Sequence, residues 1–394
     1  MPPSTAGRMP AATACKKLRC APHSALSARR RVCLNPRMAT APASLLTDLL
    51  RRVSRSFHLT LRVLPGAVRP QIGLAYLLAR TSDTIADTDL LPVEQRLAAL
   101  GRFRERLWGR ATTPLNWNSL ATAPGAAAER TLLERAEDSL ALLATLDAED
   151  ARLVRGVLDT ILTGQELDLL RFRDATAANL VALETDADLD DYTYRVAGCV
   201  GEFWTRLCCR RLFRADTVNE TQLLADGVRF GRGLQLVNIL RDVPADARMG
   251  RCYVPRVRLA AAGLRPEDLL QPGKEAAFRP VHQALLAVAE AHLRAGWEYT
   301  NALPPDQWRV RLACAWPVLL GMRTLDRLRA GPGLAATQPV KISRAEVRAV
   351  IWRSVVRVPF PGAFRTLCPP RTAPGRTEGT TPDMSHSGGR SAGW

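Results

Sequence analysis

The sequence predicts an all-α protein built as a single domain, and three observations carry that expectation. Apolar residues recur at three- and four-residue spacing, as at Leu132, Leu133, Ala136, Leu140 and Leu143, the pattern of helices with one buried face. β-Branched runs are short, and neither an alternating strand pattern, a strand–helix–strand rhythm nor an internal repeat is present. Proline and glycine fall where helices would break: Pro65-Gly66, Pro92, Pro114, Pro124-Gly125, Gly263, Pro272-Gly273, Pro304-Pro305 and Gly331-Pro332-Gly333. A chain of 394 residues, 47% apolar and 24% charged, can bury a substantial core and has the composition of a soluble globular protein.

Taken in order, Met1 to Arg37 is rich in Ala, Pro, Ser and Arg and carries eight basic residues with no acid. Three readings stay open for residues 1–38: a start codon placed too early, an organellar transit peptide, or a disordered basic tail. The domain is expected over 39–365, because ATAPASLLTDLLRRVSRSF from Ala39 already has a helical pattern. Residues 366–394 are rich in Pro, Gly, Ser and Thr and are expected to be disordered. The longest apolar run, Leu312 to Met322, is about half the ~20 residues that cross a bilayer and contains Pro317, so it reads as a buried helix.

Charge excludes one class of function. The formal net charge is +17, but the domain between Met38 and Arg365 keeps only +8 of it. A nucleic-acid protein would concentrate basic and aromatic residues on one folded face; here nearly half of the excess sits on a tail. The nine cysteines are scattered, odd in number and without a C-x-x-C pair, against a disulfide scaffold or a zinc site and in favour of a reducing, cytoplasmic setting.

Two helices carry the chemistry. In Pro70 to Asp89, Tyr76, Arg80, Asp83 and Asp87 fall within about 60° of one another at 100° per residue. In Phe230 to Asp246, Gln235, Asn238, Asp242 and Asp246 form a second stripe. Each stripe ends in an aspartate pair four residues apart. A solvent-facing strip on an amphipathic helix would explain either one alone, yet leucine and isoleucine cover most of the remaining circumference of both. Four carboxylates facing one another in an apolar bundle would repel and lose hydration. Hard divalent cations remove both penalties, and oxygen-only ligands select Mg²⁺ or Mn²⁺, which substrate phosphates usually complete. The pattern therefore points to a diphosphate joined to an apolar body, with Arg80 and Arg241 as further phosphate contacts. Pro244 removes a backbone donor between Asp242 and Asp246, so the helix is expected to kink or end there and to draw Asp246 out of its stripe.

These residues resemble the squalene/phytoene synthase family. Ser54-Arg55-Ser56-Phe57 is similar to its substrate-binding S-R-S-F, and Tyr76-x-x-x-Arg80-x-x-Asp83-x-x-x-Asp87 to its first aspartate motif. Tyr192-x-x-x-Val196-Ala197-Gly198-x-Val200-Gly201 resembles one signature. Gly231-x-x-x-Gln235-x-x-Asn238-Ile-Leu-Arg241-Asp242-x-x-x-Asp246, followed by Arg251-x-Tyr253-x-Pro255, resembles the other. The resemblance spans roughly Ser54 to Arg344. It implies a helical bundle around a central apolar cavity that joins two prenyl diphosphates head to head. Asp83, Asp87, Asp242 and Asp246 would hold Mg²⁺, and Ser54, Arg55, Ser56, Tyr76, Arg80, Gln235, Asn238 and Arg241 would hold substrate. Tyr192 would stand near the reacting carbons.

Pro339-Val340-Lys341-Ile342-Ser343-Arg344 resembles the V-K-I-R segment that helps squalene synthases bind NADPH, and Cys314-Ala315-Trp316-Pro317 resembles their C-A-x-P helix. Lys341 and Arg344, with Arg55, Arg80 and Arg241, are then the cations for the cofactor. The resemblance thus leans toward squalene made from two farnesyl diphosphates through presqualene diphosphate; the alternatives are presqualene diphosphate, dehydrosqualene or phytoene as end product, without NADPH. The chain departs from animal squalene synthases in having Ala86 for an acid, and Arg311 and Ala313 for phenylalanines. A helical membrane-surface protein is the non-enzymatic alternative. The chain is expected to be a monomer, at most peripheral at a membrane, and organellar only if residues 1–37 are a transit peptide.

Overall fold

The computed structural model describes residues 45–54, 57–88, 91–117, 127–214, 216–335 and 340–368. Arg55, Ser56 and nearly all of both tails lie outside the described residues, as does Pro339. Helices follow one another almost without interruption. A wider-wound turn over Leu45–Leu49 leads into α1 (Leu50–Ser54), followed by α2 (Phe57–Val63), α3 (Arg69–Ala86), α4 (Val93–Leu107), α5 (Ala127–Glu134), α6 (Ala136–Leu143) and α7 (Ala148–Arg171). A two-residue strand β1 (Val181–Ala182) precedes α8 (Asp186–Thr193), which passes through another wide turn over Tyr194–Gly198 into α9 (Cys199–Arg211). The long α10 (Glu220–Arg248), strand β2 (Arg251–Cys252), α11 (Arg256–Ala261), α12 (Glu275–Ala302), α13 (Trp308–Ala330), α14 (Arg344–Arg357) and α15 (Pro361–Arg365) complete the chain.

Local sequence sets the helix starts. Asp147 accepts the Asp150 N–H at the head of α7, Asn219 the Gln222 N–H at the head of α10, and Thr185 and Ser343 form capping boxes with Asp188 and Glu346 at α8 and α14. The apolar faces close two main cores. Leu74, Leu77, Leu78 and Ile85 of α3 pack with Leu100 and Phe103 of α4 and Val154, Leu158 and Leu162 of α7. Leu236, Ile239 and Leu240 of α10 pack with Leu285, Leu286 and Leu293 of α12. The parallel pairing of β1 with β2, Val181 opposite Arg251, pins the chain leaving α10 against the chain leaving α7. Gly250 makes that exit turn at φ +82°, and a Cβ there would lie 2.3 Å from the Thr176 nitrogen, so no other residue fits.

The expectation of an all-α architecture holds. The expectation that the helix ends at Pro244 does not. Helix α10 runs through it to Arg248. Proline at that position leaves the Leu240 carbonyl without its helical donor, and the neighbouring helix replaces the donor: His282 Nε2 of α12 lies 3.4 Å from that oxygen. A carbonyl only accepts, so Nε2 carries the proton. Phe278 stacks on the imidazole, ring centroids 5.6 Å apart, and burial lowers the His282 pKa, keeping the ring neutral. The repair leaves Asp246 one turn beyond Asp242 on the same stripe. Losing the donor against a buried carbonyl costs about 1–2 kcal/mol. The His282→Phe change should therefore lower the melting temperature in the natural chain and cost far less in a Pro244→Ala background, where the alanine restores the backbone donor. Equal costs in both backgrounds, measured by scanning calorimetry, would contradict the repair.

Candidate active site

Helices α3, α7, α8 and α10 surround a cavity of about 590 Å³. From α3 come Asp83, Ala86 and Asp87; from α7, Ile161, Gln165 and Asp168; from α8 and its following turn, Tyr192 and Val196; from α10, Gln235. Arg251 closes one side, held there by the β1–β2 pairing. Two aspartates of the first stripe and Gln235 of the second thus face one space, whereas Asp242 and Asp246, expected on the same wall, do not line it.

The cavity strains its carboxylates. Asp83 keeps 43% of its side-chain surface and lines the cavity. Burial, then the charge of Asp87, raises its pKa to about 6 against the pull of Arg80 and a 2.6 Å hydrogen bond from Gln165 Nε2. Asp168 is likewise pushed to about 6, chiefly by burial, although Tyr253 donates to it at 2.8 Å. Asp246 rises to about 7 through burial and the neighbouring Asp242. Tyr192 is raised by burial and by Asp168, so its phenol is a protonated donor at neutral pH. Its ring stacks on Tyr253 with centroids 4.8 Å apart, and Phe172 meets Tyr253 edge-on at 5.2 Å. Three aromatic rings therefore cluster by Asp168, with Asp87 and Asp246 close enough to act on Tyr192.

Crowded carboxylates with raised pKa values, in an all-oxygen donor set, are what a divalent cation relieves. Asp83 with Asp87, and Asp242 with Asp246, would hold Mg²⁺ as two pairs. Among the described residues no three acids converge into a closed site; paired donors suit an ion that phosphate oxygens complete.

A pH prediction follows for the metal-free chain. The folded Asp246 binds a proton that the unfolded chain releases near its ordinary pKa of 3.8, so this group costs stability as pH rises through about 7. Asp246→Asn should melt higher than the natural chain in EDTA at pH 8, with the gap closing below about pH 4. A variant no more stable than the natural chain at pH 8 would contradict the crowding.

The remaining expected residues divide. Ser54 is buried with its hydroxyl oxygen unpartnered. Tyr76 serves the scaffold: its hydroxyl donates to the Val53 carbonyl at 3.2 Å and its ring stacks on Phe57 at 5.0 Å, fixing the segment that carries Ser54. Arg80 is engaged by Glu129 at 2.7 Å, and Arg241 by its neighbour Asp242 in a two-point pair. Both would have to let go of these acids to meet a phosphate. Asn238 is exposed and does not line the cavity. Lys341 and Arg344 are exposed at the start of α14, also apart from the lining.

Sequence reasoning passed over Gln165 and Asp168, and gave Arg251 and Tyr253 no role. The first pair left a signal. Ile161, Gln165 and Asp168 share one face of α7, two polar residues among Leu158, Leu162 and Leu169.

Fold and site define an α-helical prenyltransferase with an acidic cavity. The chain belongs to the squalene/phytoene synthase family, whose sequence profile, described as Squalene/phytoene synthase, matches residues 50–346. It is 30% identical over 304 residues to the presqualene diphosphate synthase of Sinorhizobium fredii (strain NBRC 101917 / NGR234), covering 76% of this chain and 92% of that one. It is 31% identical over 249 residues to the bifunctional lycopene cyclase/phytoene synthase of Colletotrichum graminicola, covering 62% of this chain but only 39% of that longer protein. Among solved structures, TcSQS in complex with the ligand BPH1237 superposes with a TM-score of 0.65 at 25% identity, covering 80% of this chain and 86% of that one. A dehydrosqualene synthase shares the fold at a TM-score of 0.57 and 21% identity, covering 80% of this chain and 95% of that one.

Proposed function

We propose that the chain joins two farnesyl diphosphates head to head in an Mg²⁺-dependent reaction that ends at presqualene diphosphate. The observation that carries this reading is a cavity lined by Asp83, Asp87 and Asp168 beside Tyr192 and Phe172, with Gln235 of the second stripe on its far wall. The similarity to a presqualene diphosphate synthase over 92% of that protein's length supports the choice of product. Bound Mg²⁺ would supply charge neutralisation for a departing diphosphate. The chain's own residues do the rest. Asp83 and Asp87 face Gln235 across the cavity, fixing where the diphosphate ends of the substrates lie. Ile161, Val196 and Leu169 line the apolar wall and exclude the water that would capture an allylic cation. The stacked faces of Tyr192 and Tyr253 stabilise positive charge beside them. The Tyr192 hydroxyl, kept protonated, donates a hydrogen bond toward departing phosphate oxygens, and Asp168, raised toward neutrality, is placed to take up a proton.

A second reading continues the reaction to squalene with NADPH, and the Val340–Ser343 segment favours it. Against it, Lys341 and Arg344 are exposed and apart from the cavity lining. Product analysis separates the two. Purified protein given farnesyl diphosphate and Mg²⁺ should yield presqualene diphosphate with or without NADPH. Squalene formed only with NADPH would select the second reading, and no product from farnesyl diphosphate would overturn both.

A further inference from the structure

Helix α14 is seated by one face and leaves the other uncovered. Val350, Ser354 and Val358 are buried, and Ser354 Oγ accepts the Trp316 indole N–H at 2.8 Å, so the helix cannot roll. That fixes Trp352, Val355 and Val356 on the outside, 70%, 42% and 47% exposed. Phe360, between Pro359 and Pro361 in the turn to α15, is 63% exposed and extends the same apolar strip. A solvated helix face would carry mixed charge here. Instead Val347 to Cys368 contains Arg348, Arg353, Arg357 and Arg365 and no acid. The nearest acid in sequence, Glu346, is taken by Arg327 and by its own capping box, and Arg365 stands apart from the strip, in a pocket with Glu290 and Glu298 of α12. None of the four arginines forms an ion pair among the described residues, in a protein whose other arginines are mostly paired.

We propose that α14 and the turn to α15 form a docking surface for an anionic lipid bilayer. Trp352 and Phe360 enter the boundary between headgroups and acyl chains, and the arginines meet headgroup phosphates. Charge chooses this occupant. The guanidinium groups of Arg348, Arg353 and Arg357 on the helix that carries exposed Trp352 match the composition of interfacial helices, and like charges on that helix repel a second copy of it. No helix among the described residues is long and apolar enough to cross a membrane, so contact of this kind would be peripheral. The proposal goes beyond the reaction and does not depend on which product is made.

Co-sedimentation of the full chain with phosphatidylcholine vesicles, with and without phosphatidylglycerol, tests it. Binding to the anionic vesicles should be about tenfold tighter or more, and should weaken between low and physiological salt. The Trp352→Glu/Phe360→Glu double variant should lose at least about tenfold of that binding with an unchanged melting temperature, since both side chains are exposed. Arg348→Glu/Arg353→Glu should abolish the preference for anionic lipid. Unchanged binding by the first pair, or no binding of the natural chain to anionic vesicles, would overturn the proposal. So would a dimer seen by light scattering that Trp352→Glu dissolves, because a second copy would then own this face.

Discussion

On the proposed function, replacing Asp83 by asparagine should lower turnover of farnesyl diphosphate by about a hundredfold or more at saturating substrate, on the magnitudes seen when groups holding a catalytic ion or its charge are removed. The fold should survive. Asp83 is strained upward to a pKa of about 6 in the cavity, so its neutral replacement relieves repulsion with Asp87 and should raise the melting temperature of the metal-free chain. The opposed signs make the test sharp: activity falls while stability rises, the usual exchange where a site is held against its own electrostatics. Asp87→Asn should act in the same direction. Binding of Mg²⁺ with inorganic diphosphate, read by calorimetry, should weaken in parallel. A stable Asp83→Asn enzyme with undiminished turnover would remove the first stripe from the chemistry.

Asp150 gives the largest expected effect on folding. It is fully buried and receives Gln71 Nε2 at 2.8 Å, Arg210 Nε at 3.1 Å and Arg211 Nε at 2.9 Å. Three helices, α3, α7 and α9, are thereby fastened at one carboxylate. Removing one partner of a buried charged cluster costs about 3–5 kcal/mol. The two guanidinium groups are partly exposed and can rehydrate, so Asp150→Ala should fall near about 3 kcal/mol, read from the urea midpoint at constant m-value. A loss under about 1 kcal/mol would place the junction among ordinary surface ion pairs. Turnover in the folded fraction should be preserved, because no group of this cluster lines the cavity.

Much of this was legible in the sequence, and the reason is periodicity. The stripes of α3 and α10 could be read because a helix converts spacing into direction, and an acid in an apolar helix is conspicuous. What spacing cannot supply is a partner from elsewhere in the chain. Pro244 looked like a break because nothing local could replace its missing donor; His282, 42 positions along the chain from the Leu240 carbonyl it meets, does so. Asp168 was overlooked for a related reason. Its significance rests on Tyr253, which β1–β2 pairing brings to it across 85 positions. Arg80 and Arg241 looked free for phosphate because their partners, Glu129 and the adjoining Asp242, are fixed by rotamer and packing rather than by pattern.

The crossing of α9 over α10 has a further consequence. A Cβ on Gly201 would lie 1.9 Å from the Gly227 carbonyl oxygen, and one on Gly231 would lie 2.1 Å from that of Ala197. Backbone meets backbone there, with no side chain to trim or enlarge. The spacing between the wall that carries Tyr192 and Val196 and the wall that carries Gln235 is therefore not adjustable by mutation. Room for a longer or shorter prenyl chain can then come only from the side chains that line the cavity, such as Ile161 and Leu169 on α7 and Phe172 just beyond it.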